Sequence, residues 1–201
     1  ISLADGSKLT VKQHFYWYTD GYAVETLRDA AGNTLNLRGD LPVIGTDAAD
    51  SLLGSSGAET LVGGAGDDTL TGNGGEDTYL VIRGSGQDIV NNVGQFSAAD
   101  KVVFGADVTT DQLWFQQAGD DLKVSIIGTA DVVTVAGWYQ SSNNHVAQFN
   151  TAGGSTLSDA VVQNLVNAMA GFSPPPVGQT TLTADQHQQL DTVIAANWKA
   201  A

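Results

Sequence analysis

The chain has 201 residues, including 24 glycines, with 8 basic against 22 acidic side chains and a formal net charge of −14. Apolar residues make up 42% and charged residues 15%, which suits a packed core and argues against a disordered tail or an ordinary helical enzyme. The acidic surplus speaks against nucleic acid or an anionic membrane as partner and for a cation, and the absence of cysteine rules out disulfides and thiolate metal sites.

No apolar run reaches the roughly 18–20 residues of a membrane-spanning helix, and no N-terminal signal peptide is visible. The first residue is Ile1 rather than methionine, so the chain reads as a piece of a longer protein.

The first predicted element is LTVKQHFYWYTDGYAVETLRDAAGNTL (9–35), which reads as strand, turn, strand, turn and short strand with alternating apolar residues. It aligns with VTVAGWYQSSNNHVAQFNTAGGSTL (133–157): TVKQHF with TVAGWY, YAVETL with HVAQFN, and GNTL with GSTL. The run FYWYTDGY (15–22) is denser in aromatics than its counterpart WYQSSNN and would suit stacking on sugar rings; hairpin packing, or contact with a further domain, is the other reading. Arg38-Gly39-Asp40 matches the integrin-binding tripeptide, but three-residue matches arise readily by chance and this one lies beside Pro42 at a domain junction.

Next comes a nine-residue period. Four consecutive units run in unbroken register: GTDAADSLL (45–53), GSSGAETLV (54–62), GGAGDDTLT (63–71) and GNGGEDTYL (72–80). A fifth, RGSGQDIV, starts at Arg83 after a two-residue insertion. The eighth position holds Leu52, Leu61, Leu70, Tyr79 and, in the shifted unit, Val90; the sixth holds Asp50, Glu59, Asp68, Asp77 and Asp88. No Lys or Arg occurs between Arg38 and Arg83, so these acids have no basic partner nearby in sequence. Neither a helix nor simple strand alternation has this period. Glycine permits a positive φ and lets carbonyls point into a turn, and carboxylates with carbonyls are the hard oxygen donors that calcium takes six to eight at a time. Stacked without metal, the acid rows would repel one another.

The pattern resembles the RTX (repeats-in-toxin) calcium-binding nonapeptide GGxGxDxUx. GGAGDDTLT matches it in full, while Thr46 and Ser55 replace the second glycine, Ala48 the fourth, and Glu59 the aspartate. The resemblance implies a mostly all-β chain built on a short parallel β-roll, in which six residues turn and bind Ca²⁺ and three form a strand. In such a roll an ion sits between units n and n+2. Carried over, one site comprises Thr46, Ala48 and Asp50 with Gly63, Ala65 and Asp68. A second comprises Ser55, Gly57 and Glu59 with Gly72, Gly74 and Asp77, and the longer Glu59 is expected to weaken it. A third comprises Gly64, Gly66 and Asp68 with Arg83, Ser85 and Asp88 across the insertion. A terminal ion would use Asn73, Gly75 and Asp77, completed by Asp100. Two to four ions are expected.

Beyond the repeats, DKVVFGADVTTDQLWFQQAGDDLKVSII (100–127) predicts further strands and a hairpin turn at 119–121. Residues 100–157 are similar to the haemolysin-type calcium-binding protein-related domain that follows RTX arrays in bacterial exoproteins, and 1–37 then resemble the tail of an upstream copy. The expected organisation is a β-rich cap at 1–40, a β-roll at 41–99, a second antiparallel β-rich cap at 100–157, and a helical tail at 158–201. Solenoid ends need such caps. In the tail, Ser158 starts a helix carrying Val161, Val162, Leu165, Val166 and Met169, with Gly171 as its stop. After Pro174–Pro176, a Thr183/Gln186 capping box opens a second helix with Leu190, Val193, Ile194 and Trp198. Family resemblance makes this tail a candidate signal for type I secretion; packing on the β-domain is the alternative, and the two are compatible.

His14, His145 and His187 are scattered and lack an HExxH frame, GxSxG is absent, and no glycine-rich loop ends in the lysine of a phosphate site. The reading is a non-enzymatic calcium-binding module of a secreted or surface bacterial protein, whose partners are calcium ions, upstream domains of the same chain and the type I secretion machinery. A surface adhesin or glycan-binding module, or the tail of an exoenzyme with its catalytic domain upstream, is the alternative.

Overall fold

The computed structural model describes residues 42–93 and 99–200, together with the backbone of Thr26–Arg28 and Thr34–Asn36. Those two short segments are β1 and β2, paired antiparallel with Leu27 opposite Leu35. The FYWYTDGY run, His14 and the Arg38–Asp40 tripeptide lie outside the described residues.

From Pro42 the chain winds as a parallel coil. Its strands are β3 (Val43–Ile44), β4 (Ser51–Leu53), β5 (Thr60–Val62), β6 (Thr69–Thr71), β7 (Thr78–Val81) and β8 (Gln87–Val90). Odd strands stack in one sheet and even strands in the other, so each full coil consumes two nonapeptide units. Three-residue strands leave one residue per strand facing inward, and that residue is the eighth of each unit: Leu61 and Leu70 are fully buried, with their strand neighbours half-exposed. The two-residue insertion after Leu80 does not break the stacking, because Leu70 still sits beside Val90.

Past the coil lie β9 (Lys101–Phe104), β10 (Leu113–Ala118), β11 (Asp121–Ile126), β12 (Val132–Val135), β13 (Gln148–Thr151) and β14 (Ser155–Ser158). They do not form a separate layer laid over the end of the roll. Strand β9 pairs parallel with β7, β12 with β8, and β13 with β9, so both sheets of the roll run on without interruption. The regions expected at 41–99 and 100–157 therefore share both sheets, and antiparallel pairing begins only at β11–β12, β10–β11 and β13–β14. Two rows of inward residues thread the whole body: Val43, Leu61, Tyr79, Val102, Phe149 and Leu157 in one sheet, and Leu52, Leu70, Val90, Val135 and Leu122 in the other. Each fully buried member contributes about 2 kcal/mol of apolar transfer. The 119–121 turn is a tight β10–β11 hairpin, with Gly119 at φ +65° in the first turn position that requires it.

Helices α1 (Asp159–Met169) and α2 (Ala184–Asn197) begin where their caps place them. Ser158 Oγ accepts from the Ala160 N–H at 3.3 Å, and Thr183 and Gln186 exchange side-chain-to-backbone bonds at 3.2 and 2.9 Å. Val162, Leu165, Val166 and Met169 of α1 are buried, and the Phe115 N–H on β10 donates to Met169 Sδ. After α2, Trp198 packs its ring edge-on to Phe115 at 6.4 Å, and β15 (Lys199–Ala200) closes antiparallel on β14. Among the described residues, no helix is long and apolar enough to cross a membrane.

Candidate metal centre

The acids at the sixth positions stack as two ladders. The Asp50 N–H donates to Asp68 Oδ1 at 2.8 Å, and the Asp68 N–H to Asp88 Oδ1 at 3.2 Å. On the other side the Glu59 N–H donates to Asp77 Oδ1 at 2.9 Å, and the Asp77 N–H to Asp100 Oδ1 at 2.8 Å. Asp68, Asp88, Asp77 and Asp100 thus each spend one oxygen fixing the coil before it. The second oxygens of Asp68, Asp77 and Asp100 are buried and have no hydrogen-bond partner. A buried, unpaired carboxylate oxygen is costly unless a proton or a cation meets it.

Charge and burial show in the acidities. Asp77 is raised from 3.8 to about 6, chiefly by burial, with the carboxylates of Asp100 and Glu59 adding to it and the Glu59 N–H opposing it. Asp88 is likewise raised to about 6 by burial, with Asp68 and Asp131 adding repulsion. At the outer end the direction reverses. The Thr46 N–H and hydroxyl donate to Asp50 Oδ2 at 2.6 and 2.7 Å and hold its carboxyl below the ordinary value. Glu59 repeats this geometry one unit later, accepting the Ser55 N–H at 2.9 Å and the Ser55 hydroxyl.

Main-chain carbonyls lie beside these carboxylates. For the first expected site, a Cβ on Gly45 would stand 2.1 Å from the Gly63 carbonyl oxygen and 2.9 Å from Asp50 Oδ2, so those two oxygens face one small space. For the second, the same position on Gly54 lies 2.4 Å from the Gly72 carbonyl oxygen and 2.9 Å from Glu59 Oε2. Gly64 takes φ +108°, and a side chain there would meet the Thr46 carbonyl oxygen at 1.9 Å; only glycine lets the turns approach so closely. Ala48 packs under Gly66, and Ala65 lies half-buried in its turn. The Gly57 carbonyl abuts Gly75, and the Gly74 N–H donates to the Ser55 carbonyl at 3.1 Å. The structure thus brings the expected first and second sets together turn against turn. At the terminal set, Asn73 Nδ2 donates to the Gly54 carbonyl at 2.8 Å, and Asp100 stacks on Asp77 as a sixth-position acid would.

The third set gains a further acid. Gly66 lies against Gly86, and Asp68 bonds Asp88 as expected. Arg83 turns its side chain away to Asp107 at 2.9 Å, and Ser85 is buried. Asp131, from the loop before β12, enters this turn: its oxygens accept the Gly84 and Gly86 N–H groups at 2.9 and 3.0 Å. Asp131 escapes sequence reasoning because it lies outside the nine-residue register. The repeat places Tyr79 in the apolar row, yet its hydroxyl accepts from the Gly72 N–H at 3.1 Å and faces Asn92 Oδ1 at 3.3 Å.

Among the described residues no three carboxylates or histidines converge as a metal cluster. Pairs of stacked acids beside main-chain carbonyls form a hard, all-oxygen donor set, which fits calcium and not a softer metal. The buried second oxygens of Asp68 and Asp77 are the specific fit. His145 instead sets Nε2 3.0 Å from the Trp138 carbonyl and stacks on that ring at 3.7 Å, while His187 pairs with Asp191 on an exposed helix face.

Two family models match the chain. Residues 44–80 match the RTX calcium-binding nonapeptide repeat (4 copies). Residues 121–161, from β11 into α1, match the haemolysin-type calcium binding protein related domain. Repeat register, stacked acids and both matches agree: this stretch of chain is a calcium-binding RTX module, joined without a break to a haemolysin-type calcium binding related domain.

Proposed function

We propose that the module is a calcium-triggered folding unit of a secreted or surface-exposed bacterial protein, without catalysis of its own. The observation that carries this reading is the set of buried, partnerless carboxylate oxygens on Asp68, Asp77 and Asp100. They oppose folding while metal-free and favour it when calcium fills the turns. Two to four ions bind per chain: the Asp50/Asp68 and Glu59/Asp77 turns first, the Asp68/Asp88 and Asp77/Asp100 turns after them. Extracellular modules of this type bind calcium at about 10⁻⁴–10⁻³ M, well above cytosolic levels. At tenfold over Kd, three sites add about 4 kcal/mol, comparable with a small domain's whole stability.

The chain would leave the cell unfolded through type I machinery and close around calcium outside, stabilising the domains upstream of it. In this reading the segment holding α1, α2 and β15 serves as export signal first and as part of the fold afterwards. Circular dichroism with EGTA, then with millimolar calcium, tests the trigger: β signal should appear on calcium addition. A spectrum indifferent to the chelator would remove the reading.

A further inference from the structure

Among the described non-glycine residues, Asn73 alone has a positive φ, at +70°. It occupies the second turn position, where the third unit has Gly64 at φ +108°. Asparagine tolerates this left-handed conformation better than most residues. Its side chain also straps one coil to the next, since Nδ2 donates to the Gly54 carbonyl at 2.8 Å. The residue after it is Gly74, and 73–74 is the one Asn-Gly pair in the 201-residue sequence. Asn-Gly is the dipeptide most prone to cyclise, because a glycine nitrogen carries no neighbouring Cβ to keep it from the asparagine side-chain carbon.

In the closed coil both reacting groups are engaged. The Gly74 N–H donates to the Ser55 carbonyl at 3.1 Å while the Asn73 amide is tied to Gly54, and both contacts cross to the preceding coil. Reaction therefore requires the coil to open. We propose that Asn73–Gly74 is a site of succinimide-forming deamidation which the closed β-roll protects and the open chain exposes. The Gly74 nitrogen attacks Asn73 Cγ, forming an N–Cγ bond. The Cγ–Nδ2 bond breaks, and the proton from Gly74 leaves with that nitrogen as ammonia. Water then opens the ring to aspartate or isoaspartate. Aspartate sets an acceptor against the Gly54 carbonyl where a donor stood, and isoaspartate adds a methylene to the main chain between Gly72 and Gly74. Either product weakens the turn, so time spent open limits the capacity to close again.

The equation of open with metal-free rests on the proposed calcium trigger, and the test separates the two. The 201-residue chain is incubated at mildly alkaline pH in calcium, in EGTA, and in urea sufficient to unfold it, with peptide-resolved mass spectrometry following residue 73. Conversion in urea and in EGTA should exceed that in calcium by at least about tenfold, because a modification made through the open form tracks its population. Gly74→Ala should slow conversion in every arm; its added Cβ would meet only Ser56 Cα, at 3.8 Å, so the fold accepts it. Aged chains should recover less β signal on calcium addition, in proportion to the converted fraction. Equal rates in calcium and urea, or a Gly74→Ala chain converting as fast as the parent, would overturn the proposal. Fast conversion in urea with slow conversion in EGTA leaves the protection standing and removes the calcium trigger instead.

Discussion

The Glu59 N–H donates to Oδ1 of Asp77, one full coil further on, and leaves the other oxygen of Asp77 buried with no donor of its own. One carboxylate thus fixes the register of the coil and presents a charge that the protein does not neutralise. Asp77→Asn separates these roles, because the amide can keep its oxygen towards Glu59 and loses the charge. Removing an outer-shell partner of a metal typically costs 10–100-fold in affinity, so loss of this ligand should weaken calcium binding by at least about tenfold. Calorimetric titration should show fewer ions per chain, while in EGTA the variant keeps more β signal than the parent.

Acidity gives the second test. Asp77 and Asp88 stand at about 6 in the folded chain against an ordinary 3.8. A folded value above the unfolded one means that the folded chain holds the proton more tightly. The resulting stability is complete below the unfolded value and is lost as pH rises through about 6. Asp50, held low by Thr46, works the other way at the acid end. In EGTA, the residual β signal should therefore rise as pH is lowered from above 6 towards 4. Calcium competes with the same protons, so its apparent affinity should fall over that interval.

Asp131 fastens the fifth turn through the Gly84 and Gly86 N–H groups. Asp131→Ala leaves both donors without that acceptor, and bonds to charged groups contribute about 1.5–3 kcal/mol each. A loss of about 3–6 kcal/mol in urea unfolding with calcium present is expected. The Glu59/Asp77 turns should still bind the metal, because Asp131 does not touch them.

The ladder was legible because one acid and one apolar residue recur every nine positions, and a coil with that repeat can only stack like on like. The hairpin at Gly119 and the caps at Ser158 and Thr183 were legible from local turn and cap chemistry. The union of the roll with strands β9, β12 and β13 was not. The pairing of Val90 with Val135, and of Val102 with Phe149, joins strands separated by loops of irregular length, and no local period records such a partner. Asp131 and Asn92 were missed for the same reason, as each meets its partner across a long stretch of chain or outside the register. Tyr79 falls correctly in the core row, while the partners of its hydroxyl required the fold.

Leu70, stacked between Leu52 and Val90, tests the core row. It is fully buried in a strand with one inward residue, so Leu70→Ala leaves a hole that no neighbour in that strand can fill. The expected cost is about 2–5 kcal/mol, read from urea unfolding in calcium.

Crystals grown in about 10⁻³ M calcium, where extracellular sites fill, provide the most direct test of the central claim. Anomalous difference density should lie between the paired turns, within about 2.3–2.6 Å of the second oxygens of Asp68 and Asp77. Well-ordered turns with those two oxygens still bare of metal would contradict the account.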